Sequence, residues 1–143
     1  MAGFPCPEVG LKSFAAILVL LAAACTGVGR SPSAPTALMG NWGGQHAGLV
    51  LTADGGTIEY DCAHGTLDMA VRPDRKGGFE ATGSHVREHG GPARQGEVLP
   101  AVPARYVGQV DGDRMVLQVV VGSDTLGPYT LQRGAPPQLF RCL

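Results

Sequence analysis

From residue 49 onward, apolar and polar side chains alternate in short runs punctuated by glycine. A period of two over runs this short predicts β-strands with one buried face. Leu49 and Leu51 share a face ahead of the turn residues Asp54-Gly55-Gly56. Ile58, Tyr60 and Cys62 fall together, opposite Glu59 and Asp61. Leu67, Met69 and Val71 repeat the pattern with Asp68 and Arg72 outward, and Phe79, Ala81 and Gly83 repeat it with Glu80 and Thr82 outward. Tyr106, Gly108 and Val110 lead into Asp111-Gly112, a tight-hairpin signal because glycine accepts positive φ without a Cβ clash. Met115, Leu117, Val119 and Val121 form the clearest apolar face, Tyr129 and Leu131 follow, and 139–143 reads as a last strand. No stretch of useful length has helical period.

The pattern predicts an all-β domain of about eight antiparallel strands, since short connections join sequential neighbours. An open sheet of that size leaves exposed edges. The expectation is therefore an up-and-down barrel, with a two-sheet β-sandwich as the alternative. A barrel of eight strands has an interior that side chains fill or that holds one small ligand.

The first part of the chain is different. Residues 14–24 are wholly apolar and follow Lys12. Eleven residues of helix cover about half of a bilayer core, so the stretch reads as a secretory signal rather than a membrane span. Cys25 follows Ala22-Ala23-Ala24 directly. The stretch resembles a lipobox, the signal of bacterial lipoproteins, which implies that Cys25 is lipidated and becomes the new N-terminus. It departs from the usual form in that Leu21 stands four residues before Cys25 and Ala22 occupies the preferred leucine position. The expected organisation is a signal peptide over 1–24, a lipidated Cys25 and flexible tether over 25–37, and one domain over 38–143. Small, polar and Pro-rich residues in the tether bury too little apolar area to order themselves. The expected location is the bacterial cell envelope, outside the cytoplasm and held to the membrane by the lipid; a secreted or periplasmic soluble protein is the alternative.

Charge narrows the partners. The chain has 11 Lys and Arg against 12 Asp and Glu, a net charge of −1. Removing residues 1–25 takes Lys12 and Glu8 and leaves that balance unchanged. No basic excess exists to hold nucleic acid. Of the four cysteines, Cys6 leaves with the signal, and lipidation of Cys25 leaves Cys62 and Cys142 to pair as a disulfide. Two buried unpaired thiols are the other reading.

Gly40-Asn41-Trp42 carries a family resemblance. A Gly-x-Trp opening the first strand resembles the signature of the calycin superfamily of lipocalins, fatty-acid-binding proteins and avidin-like barrels. The resemblance implies that Trp42 plugs one barrel end with a basic residue, Arg133 or Arg141, lying across it. Gly40-Asn41-Trp42-Gly43-Gly44, Asp61-Cys62-Ala63-His64-Gly65, Arg87-Glu88-His89-Gly90-Gly91-Pro92 and the terminal Arg141-Cys142-Leu143 also resemble, in order, a group of small bacterial exported proteins with no assigned activity.

The histidines His46, His64, His85 and His89 all fall near turns or strand ends. His85-Val86-Arg87-Glu88-His89 matches the H-x-x-E-H pattern of inverted zinc peptidases, which works only on a helix. Glycines on both sides argue for a strand, where the two histidines stand roughly 13 Å apart. No catalytic residue, metal ligand or cofactor is assigned, and no nucleophile elbow, P-loop or dinucleotide fingerprint is present. The connection 87–104 is long enough to be a binding loop, with Val98, Leu99 and Val102 placed to cover a barrel mouth. The candidate ligand-binding residues are Trp42, His64, His85, Arg87, Glu88, His89 and Arg94. Three functions fit: a barrel binding a small apolar or amphipathic ligand; a module that binds an envelope protein, through a loose likeness of Tyr60-Asp61-Cys62 to membrane-bound lysozyme inhibitors; and a weak metal site or metal-dependent enzyme using the histidines.

Overall fold

The structure, a computed structural model, describes residues 35–92, 94–140 and 142. The signal segment, Cys25, most of the tether, Arg141 and Leu143 lie outside the described residues. The described chain forms eight strands: β1 (Gly40–Gly44), β2 (Ala47–Leu51), β3 (Gly56–Tyr60), β4 (Ala63–Leu67), β5 (Gly78–Arg87), β6 (Ala101–Asp111), β7 (Arg114–Val121) and β8 (Asp124–Arg133). Each pairs antiparallel with its neighbour in sequence, and β8 pairs back onto β1 through Trp42 opposite Arg133, which closes the barrel. The up-and-down barrel is therefore the architecture, and the sandwich is not.

Inward positions follow the alternation. Leu49, Ile58, Tyr106, Met115, Leu117, Val119 and Leu131 are at most 1% exposed and occupy the interior. Side chains fill this barrel, and the recesses lie at its surface and mouth. One end is closed. Trp42 is buried there, the Arg133 guanidinium lies 4.2 Å from its ring centroid, and Leu38 N–H donates to Val71 O at 2.7 Å. The basic partner of the tryptophan is thus Arg133; Arg141 lies outside the described residues.

Four elements differ from the sequence reading. The run Ile58–Cys62 ends as a strand at Tyr60, because Asp61 and Cys62 make the turn into β4, and Cys62 takes φ +59. The apolar run at Leu67 belongs to β4, which starts at Ala63; beyond Leu67 the chain leaves the sheet, Met69 is exposed and Val71 packs on the closed end. Leu139, Phe140 and Cys142, the described part of 139–143, are not in a strand. Only Gln138 bridges to Gln45, and the tail lies over the outer face of β1 and β2. Gly43 and Gly48 admit it: a Cβ on Gly43 would stand 2.2 Å from Ala135 O, and one on Gly48 2.6 Å from Pro137 Cβ. The long loop shortens to 88–100, because β6 begins at Ala101.

Candidate functional site

The odd-numbered strands all finish at the end opposite Trp42, and the hairpins there leave the barrel open. Inward side chains of the last turn of each strand line a shallow cup in two adjoining halves. One, of 250 Å³, is bounded by His85, Arg87, Pro100, Val102, Val121, Asp124 and Leu126. The other, of 270 Å³, reaches Tyr60, Ala63, Glu88 and Tyr129 and shares His85, Arg87 and Leu126 with the first. Both fall below the 300–1,000 Å³ usual for drug-sized ligands.

The floor is aromatic and polar. The Tyr60 ring lies 5.6 Å from both the His85 and the Tyr129 ring centroids. Tyr106 beneath them donates its hydroxyl to Ser84 O at 2.6 Å. Gly65 makes that bond possible, since a Cβ there would stand 2.3 Å from both Tyr106 Oη and Ser84 O. On this floor His85 Nδ1 is buried without a hydrogen-bond partner among the described residues, as is Trp42 Nε1 at the closed end, and the buried Tyr60 Oη has only the Tyr106 hydroxyl beside it. Leaving such a group unpaired costs about 1–3 kcal/mol.

Their protonation states follow from burial. Burial, and then the neighbouring Tyr106 hydroxyl, push the Tyr60 phenol far upward, so it remains a donor. Burial also lowers the His85 pKa, with the charges of Arg87 and His64 adding to it, so His85 is neutral at neutral pH. Tyr129 is raised by burial and by the charge of Asp61.

Around the rim, histidines engage carboxylates. His46 Nδ1 pairs with Asp61 Oδ2, and the Phe140 N–H donates to Asp61 Oδ1 at 2.7 Å. Burial opposes ionisation of Asp61, but the Phe140 amide and His46 outweigh it and hold the carboxyl below its usual range. His64 Nδ1 meets Glu88 Oε1 at 2.8 Å, and His89 Nε2 meets Glu97 Oε1 at 3.0 Å. Among the described residues no three His, Cys, Asp or Glu converge as a metal site.

The structure divides the candidate residues. His85, Arg87 and Glu88 come together at the cup. His64 and His89 line an adjoining open cleft of 610 Å³ beside Cys142 and Phe140, which shares Tyr60, Cys62, Ala63 and Glu88 with the cup. Trp42 sits at the opposite end of the barrel, so its role is to close the fold rather than to touch a ligand in the cup. Arg94 is exposed on the 88–100 loop, and Val98, 90% exposed on the same loop, faces solvent instead of covering the mouth. Val102 does line the cup. Sequence reasoning missed Tyr60, Leu126, Asp124 and Tyr129 as site residues. The available signal was position: inward residues at the ends of odd strands and the starts of even ones all share one mouth.

Cys62 and Cys142 are joined as a disulfide with their Cα atoms 5.2 Å apart. No protein-family model matches the chain, and neither the curated proteins nor the solved structures contain a match.

Proposed function

We propose that this chain is an envelope-tethered binding protein that takes a small, partly polar ligand in the open-end cup. The supporting observation is the buried His85 Nδ1, without a hydrogen-bond partner among the described residues, in a recess where Leu126, Val102 and Val121 stand beside Arg87 and Asp124. The filled interior favours this over deep apolar cargo, because Tyr106, Leu117 and Met115 occupy the volume such cargo needs. In this reading Cys25 carries the lipid. Pro35, the first described residue, lies at the closed end, where the Arg72 guanidinium donates to its carbonyl at 2.9 Å. Screening the purified exported protein against a fragment library by NMR tests the proposal. Saturable shifts at His85, Tyr60 and Leu126, lost in Leu126→Arg, are expected. A library that leaves those resonances unmoved overturns it.

A further inference from the structure

Four charged side chains line the cup: Asp61, Arg87, Glu88 and Asp124. Two of them are already answered. Asp61 is held by His46 and the Phe140 amide, and Glu88 by His64. Arg87 and Asp124 make no ion pair among the described residues, with each other or with anything else. They stand at the end of β5 and the start of β8, with β6 and β7 between them, and they border the same 250 Å³ half of the cup. Between the two charges the wall is aliphatic: Val102, Val121 and Leu126. The neutral His85 forms the floor and lends no charge of its own.

A ligand that carried only an anion would satisfy Arg87 and meet Asp124 with repulsion. One that carried only a cation would do the reverse. Like-charge contacts of this kind are how a site rejects wrong partners. We propose that the cup selects a small zwitterion of amino-acid type with an aliphatic body, its carboxylate on Arg87, its ammonium on Asp124 and its side chain against Leu126 and Val102. Resting on the cup reading above, the inference adds the chemical class of the ligand. Arg87 supplies a planar fork suited to a carboxylate, and Asp124 accepts from an ammonium without a directional demand. The 250 Å³ volume of the recess limits the body to a few carbons.

Calorimetric titration of the exported protein with leucine, N-acetylleucine and leucinamide tests this. The three share one side chain and differ only in charge. Leucine is expected to bind, with each blocked form weaker by about tenfold or more. Arg87→Gln is expected to weaken leucine and N-acetylleucine while sparing leucinamide; Asp124→Asn is expected to weaken leucine and leucinamide while sparing N-acetylleucine. Both changes lie on the exposed rim, and circular dichroism of each variant checks that the barrel is intact. Equal affinity for leucine and either blocked form overturns the zwitterion and names a chain terminus or a single charge instead. Absence of leucine binding, while fragments still shift His85 and Tyr60, overturns the ligand class and leaves the cup standing. Absence of both overturns the cup.

Discussion

At the scale of single residues, the floor of the cup depends on an atom that is missing. Gly65 has no Cβ, and that gap lets the Tyr106 hydroxyl reach Ser84 O across the strand. Gly65→Ala places a Cβ 2.3 Å from both oxygens, so both contacts must give. The expected cost is about 1–3 kcal/mol, the range for overpacking a tight core, measured by urea denaturation. Tyr106→Phe is expected to lose about 1 kcal/mol, leaving the carbonyl short of a donor. His85 gives a pH signature. Its folded pKa is lowered by burial, Arg87 and His64, whereas the unfolded imidazole titrates at the ordinary 6.5. The unfolded chain therefore binds the proton more readily, and stability falls as pH drops below 6.5. Replacing His85 by Phe is expected to flatten that part of the stability curve, read from thermal midpoints across the pH range. His85 and Arg87 were singled out from the chain because they lie in the stretch His85-Val86-Arg87-Glu88-His89, at the start of the long connection. Tyr60 and Leu126 were not, because their alternation is that of ordinary core residues, and only closure of the barrel shows which end of the core they face.

Among the elements, the 88–100 loop and the C-terminal tail are held by different devices. In the loop, His89 has acceptors at both ring nitrogens, Gly90 O and Glu97 Oε1, each at 3.0 Å. Both can be satisfied only by the imidazolium. The Gly90 carbonyl, then Glu97, raise the His89 pKa above 6.5; the Arg94 amide, then His89, hold Glu97 below 4.5. The sign follows for each partner. The His89 contribution is complete below 6.5 and lost as pH rises through its raised folded value; that of Glu97 is complete above 4.5 and lost as pH falls through its lowered one. The protection factors for amide exchange over this loop, corrected for the intrinsic pH dependence of exchange, are expected to be highest between those limits and to fall above neutrality. Glu97→Gln is expected to flatten that dependence. The tail is the element least legible beforehand. Its apolar residues resemble a last strand, but Pro136 and Pro137 carry no amide hydrogen for a ladder. They pack instead on Gly43 and Gly48, two glycines whose purpose is visible only beneath the tail.

For the whole molecule, the disulfide joins the turn after β3 to the end of the tail across 80 positions of sequence. Removing the cross-link returns that loop to the unfolded chain, at about 4–5 kcal/mol by loop entropy. Cys62→Ser with Cys142→Ser is expected to lower the urea midpoint accordingly, with the barrel retaining its β circular-dichroism spectrum below the transition. Because the bond anchors the tail beside His46, Asp61 and Phe140, the same variant is expected to disturb resonances on that side of the rim more than those of Trp42 and Arg133 at the closed end. Closure itself runs through the β1–β8 pairing and is independent of the disulfide.

The chain alone determined that this is a β protein of about eight strands with Leu49, Ile58, Met115, Leu117 and Val119 inward, because alternation is local and repeats every two residues. It also marked Cys62 and Cys142 as the pair left over once Cys25 was set aside. The tertiary structure alone decided which end of the barrel stays open, that the interior is filled, and that His85 Nδ1, Arg87 and Asp124 meet there without partners among the described residues. Whether a polar atom is paired depends on what lies across the barrel, and residues as far apart in sequence as Tyr60 and Leu126 become neighbours only when the ring of strands has closed.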